Sequence, residues 1–382
     1  MPTTLIVDRD PAFGALCSDL TAADEDYRFV FAADDAEAVA RLREEGQLDL
    51  AVVSIDTPGI SGMDLFRMLE GRRIRVPRVA LASRPDLTLI RDAMNRGAAD
   101  FLVKPVARED LRSTIARVYA LCEERRQAWR NEARLAALRR EIELAKGIQR
   151  RILPSRFPPR PGLEIAARLC PAEDMSGDFY DVFELDGGRL GIAIADVTGH
   201  GIPAAFLMAV VQTLLRAVAA VVPTPHDAVR EVNDILCRHR IPSMLVSLFF
   251  GVLDTANWRF TYTNGGHPSP LCYDAASGDI APLNGGKGVI LGAQDGLSYV
   301  NAVMELQAGD ALLMFTDGVL EANRPDGAHF SLERVAEVFH RHGGAGPEAL
   351  SEELMAALAA HQAGGPQRDD MAVMALRRRP PS

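Results

Sequence analysis

Leu190-Gly191-Ile192-Ala193-Ile194-Ala195-Asp196-Val197-Thr198-Gly199-His200-Gly201 is the stretch on which the reading of this chain turns. The apolar run Leu190–Ala195 has the length of a buried strand. It ends on an aspartate, and two glycines then permit a sharp turn into Ile202–Val222, which reads as one long helix. Three more segments set an Asp at a strand end, beside glycine, or both: Ser176-Gly177-Asp178-Phe179-Tyr180-Asp181, Phe315-Thr316-Asp317-Gly318 and Arg368-Asp369-Asp370-Met371. Hard divalent cations such as Mg²⁺ and Mn²⁺ take several oxygen ligands in an octahedron, and carboxylates on the ends of separate strands can supply them. Two such ions about 3.5–4 Å apart make a site for attack by water on a phosphate. The pattern predicts metal-dependent phosphatase chemistry in the rear of the chain, with a separate unit in front.

A length of 382 residues fits two domains and a connector. Hydrophobic residues at 48% and charged residues at 25% describe a globular protein with ample core. A net charge of −10 argues against a nucleic-acid partner, which wants a basic face. Cys17, Cys122, Cys170, Cys237 and Cys272 are scattered without metal spacing, as expected of reduced thiols in a cytoplasmic protein. The start, Met-Pro-Thr-Thr-Leu-Ile-Val-Asp, has no basic leader, and uninterrupted apolar stretches such as Ala217–Val222 are short for a membrane span. No membrane is expected.

Residues 1–118 alternate short apolar runs with amphipathic segments. Leu5–Val7, Phe29–Phe31, Leu50–Val53, Val79–Leu81 and Phe101–Val103 read as strands, and Ala36–Arg43 and Met63–Leu69 as helices. That alternation implies a doubly wound parallel sheet with its site at the C-terminal strand ends. With Asp8-Arg9-Asp10-Pro11, Pro58-Gly59-Ile60-Ser61-Gly62-Met63 and Gly97–Pro105, the segment resembles the receiver domain of response regulators. The resemblance implies a phosphoacceptor at the end of the third strand, and that position holds Ser54. It implies an acidic pair after the first strand, and here the second acid is Arg9 beside Asp8. Its hydroxyl switch falls on Ala82, with Ser83 next to it, while Lys104 and Phe101 remain. A serine cannot form an acyl phosphate and Arg9 repels a cation. The reading is therefore a degenerate receiver kept for docking or dimerisation. Asp56 as a displaced acceptor and Arg9 paired to Asp8 or Asp10 as a fixed "on" state are the alternatives.

Residues 119–155 form the connector. Leu135, Leu138, Ile142, Ala145, Gln149 and Ile152 follow 3-4 spacing on a predicted long helix that stops at the prolines from Pro154. Such a seam left wet is costly, so pairing with a second copy, giving a homodimer, is expected. Packing of the seam on its own neighbouring domain is the alternative.

The rear domain, taken as 156–382, opens β-rich. Leu163–Arg168, Asp181–Leu185, Leu190–Ala195, Leu245–Leu253, Arg259–Asn264, Ala311–Phe315 and Met371–Leu376 read as strands. Pro225–His239, Ser331–His342 and Pro347–His361 read as helices, and Asp186-Gly187-Gly188 as a turn. With the aspartate motifs and Asn264-Gly265-Gly266-His267-Pro268, it resembles PPM-type serine/threonine phosphatases of the bacterial sporulation and stress-regulator branch, and Glu141–Pro154 resembles the segment before it in sensor fusions. The resemblance implies an α/β/β/α sandwich holding two Mn²⁺ or Mg²⁺ ions. Asp196 would bridge them with the Val197 carbonyl on one, Asp317 and Asp369 would complete the other, and Asp178 would act as a ligand or just behind one. Water would attack phosphorus without a phosphoenzyme, and His200 would protonate the leaving oxygen, with His267 as second candidate. Asp181 and Asp370 are open as supporting carboxylates, and Asp186 reads as a turn residue. The substrate implied is a phosphoserine protein, an anti-sigma-factor antagonist, with a possible regulator docking on the receiver. The other reading is a non-catalytic adaptor that only binds a regulatory protein, which the full set of acids disfavours.

Overall fold

The computed structural model describes residues 2–23, 27–44, 48–56, 62, 64–65, 76–239 and 245–380. They form two compact units, Met1–Leu138 and Arg139–Ser382.

In the first unit, β1 (Thr3–Val7), β2 (Arg28–Ala32), β3 (Leu50–Ser54), β4 (Arg78–Ala82) and β5 (Ala98–Val103) pair in parallel in the order β2-β1-β3-β4-β5. The central strands β1, β3 and β4 are buried on both faces, so they read as continuous apolar runs. Leu5, Val7, Ala51, Val53 and Ala80 pack on one side, and Ile6, Leu50, Val52, Val79 and Leu81 on the other. Helices Pro11–Ala23, Asp35–Glu44 and Leu87–Asn95 link the strands, the last started by Asp86, whose carboxylate accepts from the Thr88 and Leu89 amides. The expected Pro58-Gly59 turn and most of the helix expected over Met63–Leu69 lie outside the described residues.

The predicted connector helix is the end of a longer one, Arg108–Ile152, which supplies residues to both units. Its seam divides. Leu135 and Leu138 are 55% and 47% exposed, whereas Ile142, Ala145 and Ile152 are half-buried and Gln149 is buried in the second unit. Leu144 and Ile148, off the seam, are exposed.

The second unit stacks two sheets between two pairs of helices, antiparallel except where Lys287–Gly288 joins Arg259–Gly265 in parallel. One sheet runs β13 (Lys287–Gly288), β10 (Arg259–Gly265), β9 (Val246–Asp254), β8 (Leu190–Val197), β7 (Phe179–Glu184), with β14 (Ala302–Glu305) also on β10. The other runs β12 (Ile280–Pro282), β11 (Leu271–Tyr273), β15 (Ala311–Phe315), β16 (Met371–Arg378), β6 (Leu163–Cys170). Ile192, Ile194, Phe249 and Phe260 meet Leu312, Met314 and Met374 between the sheets. On the outer faces, Ala193, Ala195 and Phe250 pack under helices Gly201–Ala219 and Pro225–His239, and Leu313, Phe315 and Val373 under Ser331–His342 and Pro347–Gln362. Gly201–Ala219 is long and apolar enough to cross a membrane by composition, but half of it is buried within this unit, as in a core helix.

Candidate functional site

The aspartates converge because of strand register. Asp178 immediately precedes β7, Asp196 lies near the end of β8, and Phe179 pairs with Ala195. Asp317 follows β15 by two residues, Asp369 precedes β16 by two, and Phe315 pairs with Val373. One end of each sheet thus contributes two carboxylates. Thr316 joins them: its hydroxyl donates to Asp178 Oδ2 at 2.6 Å and accepts the Ala372 amide at 2.9 Å.

The electrostatics are those of acids crowded together. Burial, then the neighbouring Asp196, pushes Asp178 well above the carboxylate range. Burial, then Asp317, pushes Asp196 up to about 7. Asp317 is raised by burial and Glu321, and Asp369 by burial and Asp317. Asp178 is buried, whereas Asp196, Asp317 and Asp369 are reached by solvent. Among the described residues no group of three or more acidic, His or Cys side chains is arranged as it stands to hold a metal ion. Carboxylate oxygens are nonetheless the donors that Mg²⁺ and Mn²⁺ take, and a divalent cation would relieve the repulsion that raises these acids. The Val197 carbonyl lies against the loop before Asp178, for a Cβ on Gly177 would lie 2.9 Å from it. The residues present therefore fit such an ion.

Asp370 turns inward instead. Its carboxylate accepts the amides of Ala172 and Gly177, both at 2.7 Å, and so fixes the loop before Asp178. Gly318 must be glycine, since a Cβ there would fall 1.9 Å from the Asp370 carbonyl oxygen. Asp181 is held by Arg216 in a two-pronged pair at 2.6 Å for each contact, and Asp186 is an exposed turn residue.

The two histidines differ. His200 lies exposed at the start of helix Gly201–Ala219, with Nδ1 2.9 Å from Glu173 Oε1. His267 is buried, its Nδ1 is 2.7 Å from Ser247 Oγ, and burial drives its pKa down to about 3. It is neutral and enclosed, which does not suit a group that must hand a proton to substrate.

In the first unit, Ser54 is fully buried at the end of β3. Lys104 Nζ lies 2.6 Å from Asp8 Oδ2 and 3.2 Å from Asp10 Oδ2, so an ammonium bridges the acids. Arg9 Nε donates to the Ala33 carbonyl at 2.9 Å, and both Asp56 oxygens accept the Ser83 amide at 2.9 and 2.7 Å.

Residues 186–379, just over half of the chain, match the profile of the stage II sporulation protein E family, SpoIIE. The chain belongs to the SpoIIE family. Residues 4–116 match the response regulator receiver domain. Phosphoserine phosphatase RsbU of Bacillus subtilis is 30% identical over 190 residues, covering 50% of this chain and 56% of that protein. Protein IcfG of Synechocystis is 30% identical over 267 residues, covering 63% and 42%. This chain therefore spans about half the length of the curated relatives it matches. The SiaA PP2C domain of Pseudomonas aeruginosa superposes with a TM-score of 0.55 at 22% identity, covering 64% of this chain and 98% of that one. The RsbU and RsbW domains of a Mycobacterium tuberculosis protein give 0.52 at 27%, covering 60% and 64%. The second unit is thus a SpoIIE-family domain of PP2C fold, and PPM phosphatases as a family depend on metal.

Three contributors to the SpoIIE-family site escaped sequence reading. Glu173 follows Pro171-Ala172 with nothing to mark its contact with His200. Thr316 sits inside an aspartate motif, but residue type does not mark its bonds to Asp178 and Ala372. Gln149 has the spacing of a seam position, which hides its bond to Ser176.

Proposed function

We propose that this protein is a metal-dependent serine/threonine protein phosphatase acting on a phosphoserine regulatory protein, and that its receiver controls it without aspartyl phosphate. The observation that carries the reading is the convergence of Asp178, Asp196, Asp317 and Asp369 from the ends of both sheets, all four shifted upward from the ordinary carboxylate value. Asp196, Asp317 and Asp369, with the Val197 carbonyl, would hold two Mn²⁺ or Mg²⁺ ions, and Asp178 would back Asp196. Bound there, divalent ions would lower the pKa of water and offset phosphate charge.

The chain's own groups supply the rest. His200 stands at the rim, where a leaving seryl oxygen needs a proton. Glu173 on Nδ1 leaves Nε2 free to face the substrate. Asp370 and Thr316 fix the backbone and carboxylate behind the cluster. The phosphoserine phosphatase RsbU, similar over half of this chain, supports phosphoserine as the group attacked. An anti-sigma-factor antagonist as its carrier is the substrate the family resemblance implies. The bridging of Asp8 and Asp10 by Lys104 supports a receiver that works by contact with a regulator. Exposed Leu135 and Leu138 on the long helix support a homodimer, in a cytoplasmic setting.

The deciding experiment is hydrolysis of an aryl phosphate and of a phosphoserine protein by the full chain with Mn²⁺. Activity abolished by Asp196→Asn and by excess chelator is expected. An inactive wild type that still captures a regulatory protein would make the chain an adaptor.

A further inference from the structure

We propose that Gln149 is a positioning residue for the aspartate cluster, through which the end of the long helix holds the loop that carries Asp178. The inference rests on the phosphatase reading above and adds to it the point where the helix grips the site. Gln149 Nε2 donates to the Ser176 carbonyl at 2.6 Å, and the Ser176 amide donates back to Gln149 Oε1 at 3.2 Å. Gln149 is 7% exposed and Ser176 fully buried, so both backbone polar groups of Ser176 depend on this one carboxamide. One turn earlier, Lys146 pairs with Asp174 of the same loop.

From Ser176 the grip passes directly to the site. The Asp178 amide donates to Ser176 Oγ at 3.0 Å, and the Gly177 amide to Asp370 Oδ2 at 2.7 Å. On its far side the loop has no slack, since a Cβ on Gly177 would lie 2.9 Å from the Val197 oxygen and 3.1 Å from Ala204 Cβ. The loop is clasped between the helix and the backbone that follows Asp196. A planar group offering a donor and an acceptor side by side is required, which glutamine provides and glutamate does not. The same helix begins at Arg108 in the first unit. A change in its register or twist reaches Ser176 through Gln149, and from there the carboxylate of Asp178.

The test uses the full chain with Gln149→Glu, which keeps the shape but sets an oxygen against the Ser176 carbonyl. Mn²⁺ binding, read by electron paramagnetic resonance, should weaken about 10–100-fold, the range seen when a group supporting a metal ligand is lost. The Gly177 and Asp178 amides should exchange hydrogen faster, and kcat on an aryl phosphate should fall with KM little changed. Arg150→Ala, on an exposed position of the same helix, should match the wild type in all three. Circular dichroism and thermal unfolding check the fold. If Gln149→Glu does not fold, Lys146→Met decides, with a smaller shift in the same direction expected. Wild-type Mn²⁺ affinity and exchange in a folded Gln149→Glu protein, or in Lys146→Met where that variant decides, overturn the proposal. A wild type that hydrolyses nothing defeats the phosphatase reading alone, because the binding and exchange arms still report on Gln149.

Discussion

Glu173 Oε1 lies 2.9 Å from Nδ1 of His200, and both side chains are solvent-exposed beside Asp369, whose charge His200 offsets. An imidazole held by a carboxylate on one nitrogen presents the other in a fixed direction. On the proposed function that arrangement would make His200 the proton donor and Glu173 its orienting partner. His200→Gln should cut turnover of a phosphoserine protein by roughly 10²–10⁴-fold, the usual worth of general acid catalysis. An aryl phosphate, whose leaving group needs no proton, should lose far less. Glu173→Gln should lower phosphoserine turnover about tenfold, within the range for supporting partners. Equal losses on both substrates would assign His200 to binding rather than proton transfer.

A second expectation concerns pH in the metal-free protein. Burial and Asp317 raise Asp196 from 3.8 to about 7, and Asp178 shifts the same way. Between those values the folded state holds a proton that the unfolded chain has released. Stability therefore falls as pH rises from about 4 to about 7, by at most about 1.4 kcal/mol per pH unit for each proton held. Asp196→Asn should flatten that slope and should stabilise the metal-free protein more at pH 7 than at pH 4. Added Mn²⁺ should stabilise the wild type at pH 7 and not the variant. Denaturant titrations at several pH values check this, and parallel pH profiles for the two proteins would refute it.

The receiver should ignore phosphodonors. Ser54 has no carboxylate, and Lys104 bridges Asp8 and Asp10. Incubation with a small phosphodonor and Mg²⁺ should add no mass and leave the phosphatase rate unchanged. Stoichiometric labelling that disappears in Asp56→Asn would reveal an acceptor two residues along. Lys104→Met should destabilise this unit by roughly 3 kcal/mol, because it strands the nearly buried Asp8.

The long helix yields a test of assembly. Leu135 and Leu138 are exposed in the single chain, and burying a leucine is worth about 1.5–3 kcal/mol. Mass in solution should correspond to a dimer, and Leu135→Asp/Leu138→Asp should convert it to a monomer. A monomeric wild type, or a dimeric variant, would exclude this contact.

Much of the fold could be read from the sequence because the decisive strands are buried on both faces. Ala311–Phe315 and Pro225–His239 have the boundaries expected from apolar run and helical period. Leu271–Tyr273, Ile280–Pro282, Lys287–Gly288 and Ala302–Glu305 went unread, being too short for any period to show. At the site, residue type marked Asp178, Asp196, Asp317 and Asp369. It could not say that Asp370, adjacent to Asp369, turns inward to two amides, because that depends on how the chain enters β16. Nor could it separate an exposed His200 from an enclosed His267, since both stand in glycine-rich turns. Gln149 followed the heptad pattern but serves a polar contact, and spacing alone does not distinguish the two.

The Lys104 ammonium has a consequence for how the halves of the protein sense their surroundings. It is a cation tethered to the chain, and it settles the acids of the receiver whatever the ionic composition outside. On the proposed function the rear domain, with no ammonium bridging its acids among the described residues, would draw its positive charge from divalent ions in solution. Depleting those ions should therefore silence phosphatase activity while leaving the first unit folded. A cell short of manganese would then contain a protein that still listens but cannot answer.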